Sequence, residues 1–178
     1  MALSHAILAA LLGAPCSGYD LQKRFEGSVG FFWQASFQQI YRELNKLEEL
    51  GWLTSSTVRQ QNRPEKKIYQ ITEMGQESLK AWIAEPCDMA PIRDDLLVKV
   101  FAGSLVPTQA FLAELEHHQA QHRQRLAIYQ QIEQQFFPTP ESLSIADKFR
   151  YLALQNGIHY ETAWLAWCEE AMGAIVSS

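Results

Sequence analysis

Six long polar side chains fall within one short segment of the chain. They are Gln38, Gln39, Tyr41, Arg42, Asn45 and Lys46. Glutamine, asparagine and arginine can hydrogen-bond to the edges of base pairs, and lysine, arginine and tyrosine can reach phosphate groups. The chemistry that this set offers is recognition of a duplex through its major groove. An ordinary solvated helix face is the alternative interpretation of the same residues.

The segment that carries these side chains is predicted to be a helix. Its apolar residues recur at the spacing of a single helical face, at Ile40, Leu44, Leu47 and Leu50. Ser36 is suited to cap the start of the helix, and Gly51 is suited to end it in a left-handed turn. The polar set therefore occupies the face opposite to the apolar stripe.

A β-hairpin is predicted directly after this helix. Residues 52–58 are rich in β-forming types, residues 67–71 alternate polar and apolar, and residues 59–66 form a polar, turn-forming loop. From Arg59 to Lys67 there are four basic residues and one acid, with the cations at Arg59, Arg63, Lys66 and Lys67. A helix followed by a hairpin with a basic tip is typical of a winged helix-turn-helix, whose wing would run beside the groove that the helix enters.

Several short motifs give the chain a family resemblance. They are Gly18-Tyr19-Asp20-Leu21, Phe32-Trp33, Ile40-Tyr41-Arg42-Glu43-Leu44, Leu47-Glu48 before Gly51, and Lys67-x-Tyr69-x-Ile71-Thr72. With these motifs the sequence resembles the PadR family of transcriptional regulators, and within it the branch of virulence-gene activators. The resemblance implies a helical dimerisation domain after the winged domain. It also implies a response to small aromatic compounds, bound in a cavity between the two domains.

The second half of the chain is predicted to be an αα-hairpin. Two long amphipathic helices, at about 108–137 and 145–175, are separated by Pro138-Thr139-Pro140. Such a hairpin buries only one side of each helix, so a second copy of the chain would complete the core and make a homodimer. The alternative is that the hairpin packs back on its own winged domain. The fold class is therefore mainly α with a small β-hairpin (α+β), in two domains at 1–86 and 87–178.

Net charge separates the two predicted domains. The chain carries −5, but residues 1–86 hold nine basic and nine acidic side chains, so residues 87–178 carry all of the negative charge. The positive field of the first domain is concentrated in the wing, and the local field governs contact with a phosphate backbone. Three widely spaced cysteines indicate neither a disulfide framework nor a metal clip. No membrane span or secretory signal is evident, and a cytoplasmic location is expected.

Other chemistry is weakly indicated. His118 and His122, with Glu114 one turn earlier, have a spacing that can hold a metal, but a solvated polar face fits the surrounding glutamines better, and no metal or cofactor is predicted. The chain has no nucleophile, phosphate-loop or metalloprotease motif, so it is not expected to be an enzyme. Three aromatic side chains of the last helix are assigned to a dimer core, with an effector cavity as the alternative: Tyr160, Trp164 and Trp167.

These observations lead to one functional hypothesis and one alternative. The hypothesis is a homodimeric transcriptional regulator that binds a near-palindromic double-stranded DNA site, with an effector or co-regulator left open. Its DNA-binding residues are predicted to be Ser36, Gln38, Gln39, Tyr41, Arg42, Lys46, Arg59, Arg63, Lys66 and Lys67. The alternative is a protein-interaction module on a winged-helix scaffold without DNA binding, which the low net charge favours.

Overall fold

The computed structural model describes residues 2–26, 33, 35–60 and 63–177, and the chain divides into two compact units, Met1–Ala90 and Pro91–Ser178. Five side chains at the edges of the described ranges also lie outside the description: Ala2, Glu26, Gln60, Arg63 and Pro64. Within the part of the chain that the structure describes, no helix is long and apolar enough to cross a bilayer.

The first unit contains four helices and three strands. In chain order they are α1 (Ala2–Leu11), β1 (Cys16–Ser17), α2 (Gly18–Glu26), α3 (Phe37–Glu49), β2 (Leu53–Gln60), β3 (Arg63–Ile71) and α4 (Glu73–Ala84). The strands form one antiparallel sheet in the order β1-β3-β2. Helix α3 followed by the β2–β3 hairpin is the arrangement predicted for a winged helix-turn-helix.

The ends of α3 follow from the local sequence. The Ser36 side chain accepts a hydrogen bond from the Gln39 N–H, and the Gln39 side chain accepts one from the Ser36 N–H, which makes a capping box. At the other end Gly51 has a φ of +72°, a left-handed conformation that glycine adopts at low cost. Both predicted helix ends are confirmed.

The wing differs from the prediction in one respect. Strands β2 and β3 continue through the segment predicted to be a loop, so that Val58 pairs with Lys66 and Gln60 with Arg63. A register shift between Val58 and Gln60 breaks the alternation that would have revealed these strands in the sequence. Strand β1 was also missed, because a two-residue strand has no periodicity and forms only by pairing with Tyr69 and Ile68.

The core of the first unit is apolar and continuous. Its fully buried side chains come from every helix and from β2 and β3: Ile7, Leu8, Leu11, Leu21, Phe25, Ile40, Leu44, Leu47, Leu53, Tyr69 and Leu79. Thr72 caps α4, accepting from the Gly75 N–H. Met74 and Ile83 of this helix are exposed within the chain.

The second unit contains three helices. They are α5 (Asp95–Phe101), α6 (Thr108–Phe136) and α7 (Ile145–Val176), with 3-10 turns at Gly103–Leu105 and Pro140–Ser142. The Asp94 carboxylate caps α5 by accepting from the Leu96 and Leu97 N–H groups. Thr108 is the first residue of α6, and Pro107 before it occupies the capping position without a side-chain hydrogen bond.

Helices α6 and α7 form the predicted antiparallel hairpin. Glu133 near the end of α6 accepts hydrogen bonds from Tyr151 and Gln155 in the first half of α7. At the opposite end a small core of Leu96, Phe111 and Leu115 packs against the last turns of α7. The hairpin therefore buries one side of each helix.

Candidate nucleic-acid interface

The outward face of α3 presents three polar side chains in one row. Gln38, Arg42 and Asn45 are all exposed, at the i, i+4 and i+7 spacing of one face. The opposite face is held in the core by Ile40, Leu44 and Leu47. The row is therefore fixed by packing while its hydrogen-bonding ends stay free of the core. Asn45 was left out of the predicted site, although its spacing from Gln38 was the signal that could have included it.

Ser36 and Gln39 stand at the start of α3, where both side chains take part in the capping box. The Gln39 side-chain oxygen is used by the Ser36 N–H at 2.8 Å, which leaves its amide nitrogen to face outward as a donor. The Ser36 oxygen accepts from the Gln39 N–H at 3.2 Å. Both residues thus order the first turn of α3.

Tyr41 is half-buried, in contrast with its neighbour Arg42. Its ring lies over Gly18 at the start of α2, where a Cβ atom would come within 2.5 Å of the Tyr41 Cζ. The ring also packs against Phe37, with the two centroids 4.3 Å apart. Tyr41 therefore joins α3 to α2 as well as lying at the edge of the polar face.

Lys46 lies one turn from the end of α3 and is paired within its own helix. Its ammonium group is 3.2 Å from the Glu43 carboxylate, which also accepts a hydrogen bond from Ser4 of α1. Burial, the largest influence, raises the pKa of Glu43, but the hydrogen bonds from Ser4 and Lys46 outweigh it and leave the pKa lowered. Glu43 therefore joins α3 to α1 through its hydrogen bond with Ser4, and it does so in its charged form.

The two lysines of the wing lie on opposite faces of β3, because successive side chains of a strand alternate. Lys66 is 2.7 Å from the Asp20 carboxylate of α2. Lys67 is 2.7 Å from the Glu48 carboxylate in the last turn of α3. The hydrogen bond from Lys66 lowers the pKa of Asp20, and that from Lys67 lowers the pKa of Glu48.

The arginines of the wing are placed differently. Arg59 is almost fully exposed, with its Nε 3.4 Å from a Glu65 carboxylate that is itself mostly exposed. Such a pair is weak in water, so the Arg59 guanidinium is available to other anions. Arg63 begins β3, and its side chain lies outside the described residues.

The aromatic residues of α7 pack within the hairpin. Trp164 stacks on His122 of α6 with ring centroids 5.0 Å apart and an interplanar angle of 6°, and Trp167 meets Trp164 edge to face. Both tryptophans pack against the small core of the second unit. Tyr160 remains about half-exposed. The two tryptophans are therefore partly buried within the hairpin of the single chain.

A carboxylate lies buried beside this aromatic group. Glu161 is 1% exposed, and its oxygens are 2.5 Å from His122 Nδ1 and 3.6 Å from an Arg125 guanidinium nitrogen. His122 was predicted to lie on a solvated face, but it is mostly buried by these contacts. His118 instead lies 3.7 Å from Glu114. Among the described residues, no group of three histidine, cysteine, aspartate or glutamate side chains is placed to hold a metal ion.

Two family models match the chain in succession. The transcriptional regulator PadR-like family matches residues 7–81, and the C-terminal domain described as virulence activator alpha matches residues 92–175. The probable transcriptional regulator Rv1176c of Mycobacterium tuberculosis is 36% identical, over 98% of each chain. The chain belongs to the PadR-like family of transcriptional regulators.

Solved structures of this family have the same fold. Negative transcriptional regulator PadR of Bacillus subtilis is 30% identical over 97% of each chain, and its structure with operator DNA superposes with a TM-score of 0.86 at 28% identity, over 98% of this chain and 99% of that one. The virulence activator AphA of Vibrio cholerae superposes with a TM-score of 0.77 at 30% identity, over 98% of each chain. The same B. subtilis protein has also been solved with p-coumaric acid, with a TM-score of 0.79 at 28% identity over 98% of this chain and 99% of that one.

Family membership confirms several predictions made from the sequence. The α+β fold with a winged helix and a C-terminal helical region is that of the PadR neighbours. The assignment as a regulator of transcription, and not an enzyme, follows from membership of the PadR-like family. The individual site residues, and the domain boundary predicted at residue 86, stay predictions.

Proposed function

We propose that this PadR-family regulator binds a near-palindromic duplex operator as a homodimer, with α3 in the major groove. Gln38, Arg42 and Asn45 would read base edges, because amide and guanidinium groups match the donors and acceptors displayed there. Ser36, Gln39, Tyr41 and Lys46 would border this row and approach the backbone. The observation that carries the proposal is the exposed polar row on a helix whose other face is buried in the core.

The wing would lie along the phosphate backbone or in the adjacent minor groove. Arg59 supports this role because it is exposed and only weakly paired. Arg63 is proposed with it from its position at the start of β3. The similarity to B. subtilis PadR, whose structure was solved with operator DNA, supports the same arrangement for this chain.

The dimer is supported by an apolar stripe on α7. Ile145, Phe149, Leu152 and Tyr160 follow one another at helical spacing, and each is more than half exposed in the single chain. Such a row is covered in stable helical assemblies, most simply by the same stripe of a second copy. To meet successive major grooves, the two α3 helices of such a dimer would need to lie about 34 Å apart, one turn of DNA.

The proposal extends to the effector and the location. A small aromatic acid is the effector class to test first, because B. subtilis PadR was solved with p-coumaric acid. A cytoplasmic location, proposed with DNA as the partner, is consistent with membership of a transcriptional regulator family.

The experiment that tests the proposal is recovery of genomic DNA fragments by the purified full chain at two salt concentrations. A shared palindromic motif that is retained at the higher salt is expected. Fragments without a motif, lost at the higher salt, would reduce the function to backbone affinity. No retained DNA at either salt would favour the protein-interaction alternative.

A matched pair of variants tests the role of α3. Arg42→Ala is expected to lose most of the specific affinity, by about 1–3 kcal/mol for a lost base contact, while the chain stays folded. Lys80→Ala removes one positive charge from the exposed surface of α4 and is the control. Equal operator affinity of Arg42→Ala and wild type would remove Arg42 from the site.

A further inference from the structure

Glu48 connects the last turn of α3 to both strands of the wing. Ser55 of β2 donates its hydroxyl hydrogen to one carboxylate oxygen, and Lys67 of β3 donates to the other at 2.7 Å. Both oxygens of a single carboxylate are therefore used by the wing. No part of this arrangement was visible in the sequence, since the three residues are separated by 7 and 19 positions.

The strand register directs these side chains toward the helix. Ser55 pairs with Tyr69, and Thr57 pairs with Lys67, so Ser55, Lys67 and Tyr69 lie on one face of the sheet. Tyr69 on that face is buried in the core, and the Lys67 ammonium lies 5.2 Å from the centre of its ring. Lys67 is thus turned back along the wing toward the end of α3.

The charges at this point do not favour a phosphate. The hydrogen bond between the two groups raises the pKa of Lys67 and lowers that of Glu48, so both stay ionised and the pair is neutral. A phosphate brought to Lys67 would also meet the Glu48 carboxylate beside it and would be repelled. Backbone affinity comes from cations that are free to replace counterions, which describes Arg59 better than Lys67.

We propose that Lys67 is a positioning residue, which with Glu48 and Ser55 sets the angle between α3 and the wing and makes no phosphate contact itself. The inference rests on the proposed function, because the angle matters only if α3 and the wing bind the same duplex. It gives Lys67 a role different from the one predicted for it from the sequence. On the opposite face of β3 the pair between Lys66 and Asp20 holds the wing to α2 in the same manner.

The deciding variant is Glu48→Gln, because a purely electrostatic effect of Glu48 and a positioning role predict opposite changes in operator affinity. Removing a negative charge from a DNA-binding surface strengthens binding if only electrostatics matter. If Glu48 holds the wing in place, the same change weakens specific binding, by about tenfold, without weakening affinity for random duplex. Lys67→Met is expected to weaken specific binding equally, and the double variant no further, since the two residues act as one unit.

The control is Glu77→Gln on α4. Its partner Lys80 lies 2.6 Å away, so this variant removes the same charge and the same kind of ion pair at a place outside α3 and the wing. Lys67→Arg, which keeps the charge and a donor, is expected to recover most of the specific affinity. Tighter or unchanged operator binding by Glu48→Gln would overturn the inference. So would a salt slope reduced by about 0.9 in Lys67→Met, the signature of one lost phosphate contact.

Hydrogen exchange separates a failure of this inference from a failure of the proposed function. If the wild-type chain bound no duplex, the proposed function would be contradicted. The positioning role of Glu48, Ser55 and Lys67 would then be judged on the free protein, by amide exchange in β2 and β3. Faster exchange there in Glu48→Gln than in Glu77→Gln supports this role, and equal exchange overturns it.

Discussion

The two units of this regulator place charge and apolar surface in opposite ways. The first unit buries a continuous apolar core and keeps its ion pairs at the surface, as with Lys66–Asp20 and Lys67–Glu48. The second unit buries a carboxylate, Glu161, and exposes large apolar side chains such as Phe101 and Phe149. The first unit also exposes Met74 and Ile83, but its core is the larger one, whereas the small core of the second unit leaves the apolar stripe of α7 uncovered for a partner.

The largest expected effect on stability comes from replacing one leucine with alanine in each unit, which tests this difference directly. Leu44→Ala leaves a cavity at a fully buried position and is expected to lower the free energy of unfolding by about 2–5 kcal/mol. Leu152→Ala alters an exposed side chain, so its effect should depend on protein concentration and act through association. Urea unfolding at two protein concentrations measures both. Equal, concentration-independent losses would contradict the distinction between the units.

The exposed stripe of α7 provides the next largest effect. Phe149→Ser is expected to weaken dimerisation by about 1.5–3 kcal/mol for each copy of the side chain, which is tenfold or more in the dissociation constant. Sedimentation velocity over a dilution series measures the change. Met89→Ser is the control, because Met89 is equally apolar and 95% exposed but lies outside the hairpin. A variant that stays as dimeric as wild type would exclude Phe149 from the interface.

The buried carboxylate of the second unit can be tested against its histidine. Glu161→Ala leaves His122 without its acceptor and is expected to lower stability by about 1–3 kcal/mol. Glu161→Gln keeps an acceptor for His122 and should lose less. Thermal unfolding of the two variants at neutral pH gives the comparison, and identical melting temperatures would mean that the bond contributes nothing.

The smallest expected effect is an acid dependence of the first unit. Lys67 lowers the pKa of Glu48 below its ordinary value of 4.5, so the stabilisation that it gives is complete above about pH 4.5 and is lost as pH falls through the lower folded value. The side chains are partly exposed, which limits the contribution to within about 1 kcal/mol. Urea midpoints from pH 6 to pH 3 should fall less steeply in Glu48→Gln than in wild type. Parallel profiles would mean that the pair is not formed in solution.

The features that could be predicted from the sequence depend on interactions between residues close in sequence, and the features that were missed depend on contacts between distant ones. Local signals placed α3 correctly, because Ser36 and Gly51 act within a few residues of the helix ends. The helical spacing of apolar residues likewise identified Leu44 and Leu47 as core. The candidate face of α3 was predictable for the same reason.

Contacts between distant residues could not be predicted in this way. The hydrogen bond between His122 and Glu161 joins residues 39 positions apart. It buries His122 on a face of α6 that was expected to be solvated. The pairing of Lys67 with Glu48 also depends on the register of the wing, which an irregularity after Val58 hides from the alternation pattern. In both cases the side chain's role is set by a neighbour that only the fold supplies.

The contact between Gly18 and Tyr41 limits how this protein can acquire a new operator. Position 41 borders the face that would read DNA, yet its ring fills the space that any side chain at position 18 would need. A larger residue at position 18 would displace the Tyr41 ring, whereas a smaller residue at position 41 would leave a gap beside Gly18. The two positions are therefore expected to vary together among descendants of this gene, so that a substitution at position 41 is best accommodated together with a second one at position 18.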